Sequence, residues 1–131
     1  MSTATEFYGE PIYTYTREQA IEDGVLVDAT VGPFADVTRQ HFPGSPVAMT
    51  AGLFALIQKA VESKRHLNDY AGVWYDILWI SRITRAVDRT DFRFRVIITG
   101  VGRSKYQTIR RTVVEGTPHS PVYTYMLGDE D

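Results

Sequence analysis

The feature that most constrains this fold is the long apolar segment at residues 70–87, YAGVWYDILWISRITRAV. At 100° per residue, one helical face carries Val73, Ile77, Ile80, Ile83, Thr84 and Val87. Trp74 and Leu78 extend this face, and Trp74 and Ile77 are predicted to point into the core. Tyr75 and Trp79, four residues apart, form a second apolar ridge further round the helix. A helix that is apolar over most of its circumference is deeply buried or contacts a partner.

After this segment the period of the apolar positions changes from 3.6 to 2. Phe92, Phe94, Val96 and Ile98 alternate with more polar residues, which predicts a half-buried strand at residues 92–99. Gly100 introduces a hairpin loop, and residues 106–115 and 122–127 are predicted to be the second and third strands. The predicted fold class is therefore α+β, with a three-stranded antiparallel meander in the C-terminal half packed on the long central helix.

The N-terminal half predicts smaller helices at residues 17–23, 34–42 and 51–63, with Thr16 and Thr50 as N-caps. Gln19 completes a capping box with Thr16. Short extended runs are expected at residues 12–16, 25–27 and 47–49. A chain of 131 residues fits one domain, 1–131, and we expect residues 1–10 and 128–131 to be loose.

Composition and charge restrict the function. The chain has no cysteine, which excludes disulfides and thiolate metal sites. No apolar run has the roughly 20 residues of a membrane span, and no signal peptide is apparent, so we expect a cytoplasmic protein without a membrane partner. The net charge of −2 is unevenly distributed: residues 1–62 hold three basic and eight acidic residues, and residues 82–111 hold nine basic and two acidic ones.

No catalytic constellation is apparent. His41, His66 and His119 are isolated from each other and from carboxylates at metal-ligand spacings. Gly100 and Gly102 follow a strand, but neither a third glycine nor a helix follows them, so they indicate a hairpin and not a nucleotide loop. The sequence therefore predicts no enzyme activity, no metal and no cofactor.

Asp76 lies at the margin of the central helix's apolar face, and no basic residue stands three or four positions from it. A buried carboxylate needs a partner. We expect Arg93 or Arg95, on the first strand, to pair with it in a structural role.

Two candidate interaction surfaces follow from these patterns. A basic hairpin at residues 93–111 offers the candidate binding residues Arg93, Arg95, Arg103, Lys105, Tyr106, Arg110 and Arg111. This set is suited to tracking phosphates while Tyr106 stacks on a base, or it offsets the acidic N-terminal half. The candidate protein interface is Tyr75, Trp79 and Arg82. We expect the helix at 51–63 to bury its aromatics; the alternative is an exposed patch that forms a two-fold homodimer.

Three stretches, PIYTYTREQAIEDGVLVDAT (11–30), YAGVWYDILWISR (70–82) and PVYTYMLGDED (121–131), resemble the landmarks of a family of small uncharacterised proteins from phages, plasmids and integrative elements. This resemblance implies genomic context and no catalytic residues. It favours a non-catalytic accessory protein that binds a host or mobile-element macromolecule, a counter-defence inhibitor being one form. The alternative is a small nucleic-acid-binding protein that uses the basic hairpin.

Overall fold

A computed structural model describes residues 16–115 and 121–130. The helices in these ranges are α1 (Arg17–Glu22), α2 (Ala35–His41), α3 (Ala51–Glu62) and α4 (Tyr70–Ile83), with a 3₁₀ turn at Gly32–Phe34. The strands are β1 (Leu26–Asp28), β2 (Val47–Thr50), β3 (Asp91–Ile97), β4 (Tyr106–Glu115) and β5 (Pro121–Leu127). The fold class is α+β, as predicted. Residues 1–15, 116–120 and 131 lie outside the described ranges, and with them the predicted tail at 1–10 and most of the predicted β-prone run at 12–16.

The strands form one mixed sheet in the order β1-β2-β5-β4-β3. β3, β4 and β5 are the predicted antiparallel meander. β2 joins this meander by pairing parallel to β5, and β1 pairs antiparallel to β2. The sequence predicted both short strands as extended runs but not their place in the sheet. Parallel pairing between segments so far apart in the chain leaves no local sequence signal.

The long helix α4 packs on one face of this sheet. Its buried residues include Trp74 and Ile77, as predicted. The strand alternation places Phe92 and Phe94 on the face that α4 covers. Trp74 meets Tyr125 of β5 edge to face, with ring centroids 5.2 Å apart. These aromatic contacts anchor α4 across the middle of the sheet.

α4 ends at Ile83, four residues earlier than predicted, and Thr84 adopts an extended conformation. The Thr84 hydroxyl donates to the carbonyl of Ile80 at 2.6 Å, and Arg89 donates to the carbonyls of Thr84 and Ser81. These bonds satisfy helix-terminal carbonyls that another turn would otherwise engage. Val87 is consequently outside the helix and fully exposed, so its assignment to the apolar face was wrong.

The predicted caps are present. Thr16 and Gln19 form the capping box of α1, and the Thr50 hydroxyl accepts from the backbone N–H of Leu53. Residues 128–130, expected to be loose, are held by hydrogen bonds, including one from the Gly128 N–H to the Thr108 carbonyl at 2.8 Å. In the part of the chain that the structure describes, no helix is long and apolar enough to cross a membrane.

Candidate interaction surfaces

The outward face of α4 carries a continuous apolar stripe. Tyr75, Trp79 and Ile83 are 41%, 45% and 54% exposed and follow each other at intervals of four residues, which places them one above the other. Asp76 and Arg82 lie on the same face and are also exposed. We call the surface formed by Tyr75, Asp76, Trp79, Arg82 and Ile83 the outer face of α4.

The expectation that the helix at 51–63 would bury Tyr75 and Trp79 was wrong. α3 contacts α4 near Tyr70, the first residue of α4, where Phe54 stacks on the Tyr70 ring with centroids 6.2 Å apart. Phe34 fills the inner flank and meets Trp74 edge to face at 5.8 Å. The small helices therefore cover the flank that carries Tyr70 and Trp74, and they leave the flank with Tyr75 and Trp79 open.

His41, the last residue of α2, borders the outer face of α4. Its ring lies edge to face with Tyr75 at 5.1 Å, and Arg82 donates to its Nδ1 at 3.1 Å. Burial, and secondly the charge of Arg82, lower the pKa of His41 below its usual value. A neutral imidazole accepts a hydrogen bond from Arg82 but does not compensate the positive charge of the guanidinium. Among the described residues, no carboxylate forms an ion pair with Arg82. In the sequence, His41 was considered as a metal ligand and rejected because it is isolated, and this contact was missed.

The predicted partner of Asp76 was wrong. Arg93 and Arg95 alternate with the buried residues of β3 and therefore project from the sheet face opposite α4. The Arg93 Nε donates to the Gly128 carbonyl at 2.8 Å, and Arg95 lies over the Tyr106 ring at 4.9 Å. No hydrogen bond or ion pair to Asp76 forms within the described ranges. Desolvation raises the pKa of this carboxyl above its usual value.

Asp76 also lines a groove beside the start of α4. The groove has a volume of about 470 Å³ and is bordered by Leu67, Tyr75 and Ile97. Leu67 is 90% exposed, and its φ of 54° places it in the left-handed region. That conformation is unfavourable for a leucine, and exposing its side chain gains no burial energy. The groove therefore combines an unpaired carboxylate with an exposed apolar rim.

The basic residues of the hairpin lie in three different environments in the structure. Arg110 makes a two-pronged bond with Asp91, at 2.8 and 2.6 Å, and also donates to the Glu130 carbonyl. Such an ion pair neutralises its guanidinium at the sheet edge. Arg110 is therefore a structural residue in this arrangement, held to the neighbouring strand and to the chain after β5.

Arg111 projects from the face of β4 opposite to that of Arg110, and this face is the core. It is 5% exposed, and its guanidinium lies 4.6 Å from the centroid of Phe92 and 5.4 Å from that of Tyr123. It donates to the Arg89 carbonyl at 2.8 Å, and its Nε lacks an acceptor in the described chain. Arg111 is out of reach of a phosphate in solution.

The remaining hairpin residues are exposed, and three of them are in contact. Tyr106 is 45% exposed, and both Arg95 and Lys105 lie over its ring, at 4.9 and 5.6 Å from the centroid. Arg93 and Arg103 are also exposed, on β3 and in the loop. Cations over an aromatic ring hold that ring in place by cation–π attraction. We call Arg93, Arg95, Arg103, Lys105 and Tyr106 the hairpin cluster.

A buried polar contact lies beneath α4 that sequence reasoning missed. The Ser81 and Tyr125 hydroxyls are 2.8 Å apart, and burial raises the pKa of Tyr125 to about 12. Both groups are satisfied and closed off from solvent, which indicates a structural role. The sequence indicated the burial of Ser81 and Tyr125 through the apolar residues that surround each of them in the chain.

A larger pocket of about 510 Å³ lies between α1, α2 and the start of β2. Three of its charged groups are engaged: Arg17 donates to Thr124 and to the Tyr123 carbonyl, Asp28 accepts from Thr30, and Arg39 pairs with Asp36. Across residues 16–115 and 121–130, no cluster of three His, Cys, Asp or Glu side chains is placed to hold a metal ion. Neither a protein-family description, nor a curated protein, nor a solved structure matches this chain.

Proposed function

We propose that this protein acts by binding another protein, without catalysis, and that the outer face of α4 is its contact surface. The observation that carries the proposal is the exposure of Tyr75, Trp79 and Ile83 in one stripe on a single rigid helix. Contiguous exposed apolar side chains with polar neighbours are typical of interaction sites. Aromatic residues are enriched in such interfaces and dominate their binding energy.

The surroundings of the stripe support this role. Asp76 and Arg82 supply one charge of each sign at its edges, and His41 holds Tyr75 and Arg82 in place. A contact surface whose side chains are already ordered loses less entropy on binding. The outer face of α4 therefore has an apolar centre, a polar rim and a fixed conformation.

We further propose a host or mobile-element protein as the target, with inhibition of a host defence system as the biological setting. The support for this part is the sequence resemblance at residues 11–30, 70–82 and 121–131. The second of these stretches contains four of the five residues of the outer face of α4, ending at Arg82. The landmark and the contact surface thus largely coincide.

Affinity capture from host lysate tests the proposal. The baits are the wild-type chain, Trp79→Ala, and Tyr106→Ala as the control, because Tyr106 is an equally exposed aromatic on another surface. We expect a protein retained by the wild type and by Tyr106→Ala but lost with Trp79→Ala. Retention that is the same for all three baits would contradict the proposal, as would the absence of any retained protein.

The second candidate function is nucleic-acid binding through the hairpin cluster. It is favoured by the exposure of Tyr106 beside two cations, Arg95 and Lys105, since an aromatic ring with neighbouring positive charges is typical of single-strand binding sites. An electrophoretic shift assay with DNA and RNA at low and at moderate salt tests this candidate. A shift that weakens with salt and is lost with Tyr106→Ala would support it. No shift at low salt would exclude it.

A further inference from the structure

We infer that the outer face of α4 binds a second copy of this chain, with the two helices antiparallel about a two-fold axis at Trp79. This inference rests on the proposed function in that it takes the same face as the protein-contact surface, where a second copy competes with any host protein. It commits to an isologous dimer, in which each residue pair across the axis occurs twice.

The spacing of the charges carries the inference. Asp76 lies three residues before Trp79, and Arg82 lies three residues after it. A two-fold axis at Trp79, perpendicular to both helices, brings residues before Trp79 in one copy to the height of residues equally far after it in the other. Arg82 of the second copy therefore stands at the height of Asp76. At the crossing angle of about 20° that is usual in helix bundles, an arginine side chain spans the remaining lateral distance.

The apolar residues obey the same symmetry. Tyr75 and Ile83 stand four residues before and after Trp79. The second copy's Ile83 is thus brought beside Asp76 and above Gly72, which has no side chain to obstruct it. This position borders the groove of about 470 Å³ lined by Leu67 and Ile97. The groove at the start of one α4 accordingly receives the apolar end of the other, and the exposed Leu67 gains a contact.

Among the described residues of one copy, neither Asp76 nor Arg82 forms an ion pair with an oppositely charged side chain. Asp76 has no hydrogen-bond or ion-pair partner in the described chain, and desolvation already raises its pKa. The contact that Arg82 makes is with a neutral imidazole, 3.1 Å away. In the dimer, each copy therefore supplies an arginine to the other copy's Asp76 and a carboxylate to the other copy's Arg82. Opposite charges placed across an interface fix its register and disfavour other partners.

Sedimentation equilibrium on the full chain gives the first test. We expect a mass of twice 14.8 kDa for the wild type and for the control Val114→Ala, at an exposed apolar residue of β4 outside both candidate surfaces. Trp79→Ala removes the side chain on the axis, and we expect its dissociation constant to rise by roughly thirtyfold or more, the effect of an interface hot spot. Circular dichroism verifies that each variant keeps its fold.

Charge reversal gives the second test, which depends on the register. Asp76→Arg alone places two arginines against each other, and Arg82→Asp alone places two carboxylates together, so each single variant is expected to be monomeric. Mixed in equal amounts, these two variants form only oppositely charged contacts, and we expect a heterodimer. The double variant in one chain restores both pairs and is expected to form a homodimer.

The outcomes separate this inference from the proposed function. A monomeric wild type overturns the inference, and a Trp79-dependent capture of a host protein would still uphold the proposed function. A dimer that persists unchanged in Trp79→Ala, or single charge variants that fail to associate on mixing, also overturns the inference. If the charge variants behave as expected but no host protein is captured, the dimer is supported and the proposed binding of a host protein is contradicted.

Discussion

Replacing Thr38 by Val tests a buried hydrogen-bonded chain that joins three elements of the fold. The Trp74 indole Nε1 donates to the Thr38 hydroxyl at 2.8 Å, and this hydroxyl donates to the Ala29 carbonyl at 2.6 Å. All three residues are buried. The chain connects α4 to α2 and to the segment that follows β1. None of its three residues belongs to either candidate interaction surface, so its effect on stability can be measured in the absence of a binding partner.

The magnitude follows from the groups left behind. Val has almost the volume of Thr, so the change creates no cavity, but it leaves the indole N–H and the Ala29 carbonyl without this partner. An unsatisfied buried polar group costs about 1–3 kcal/mol. We therefore expect Thr38→Val to lower the free energy of unfolding by about 2–4 kcal/mol. That is a large share of the 5–15 kcal/mol typical of a domain.

A double-mutant cycle isolates the contribution of the indole. In a Trp74→Phe background the donor is absent, so Thr38→Val leaves only the carbonyl unsatisfied and should cost about 1–2 kcal/mol less than in the wild type. Guanidinium melts followed by fluorescence provide the measurement, because Trp79 remains as a reporter. A cost well under 1 kcal/mol, or an equal cost in both backgrounds, would refute this account of the chain.

The remaining predictions concern the core, pH and the hairpin. Ile77→Ala, at a fully buried position of α4, should lower the free energy of unfolding by about 2–5 kcal/mol in a denaturant melt; a loss below 1 kcal/mol would contradict the burial. The bond from Arg110 lowers the pKa of Asp91, so its stabilisation is full above the unfolded pKa of about 3.9 and is lost as pH falls through the folded value. Asp91→Asn should therefore lower the melting temperature at neutral pH, with a difference that disappears in acid; a difference that persists in acid would argue against the pair. If the protein binds nucleic acid, Arg103→Ala with Lys105→Ala should reduce the salt slope of binding by about two, and an unchanged slope would place the contact elsewhere.

The buried position of Arg111 shows how a sequence pattern becomes informative only with its neighbours. Arg111 was included among the candidate binding residues, although Ile109, Arg111 and Val113 share the alternation that marks the apolar face of β4. This alternation predicts that the Arg111 side chain points into the core. The alternation does not show which side chains face the guanidinium, and these are Phe92 and Tyr123, which stabilise it by cation–π contact.

The sequence by itself determined the elements whose signals are local. Thr16 and Thr50 cap their helices through bonds to backbone groups three residues away, and the period-2 pattern defined β3. The tertiary structure alone decided the pairing of β2 with β5 and the exposure of Trp79. It also decided that Asp76 has no basic partner among the described residues. Each of these depends on which distant segment lies alongside, and the apolar ridge on α4 is the same in sequence whether a neighbour covers it or not. Packing of the small helices on the opposite flank left that ridge open.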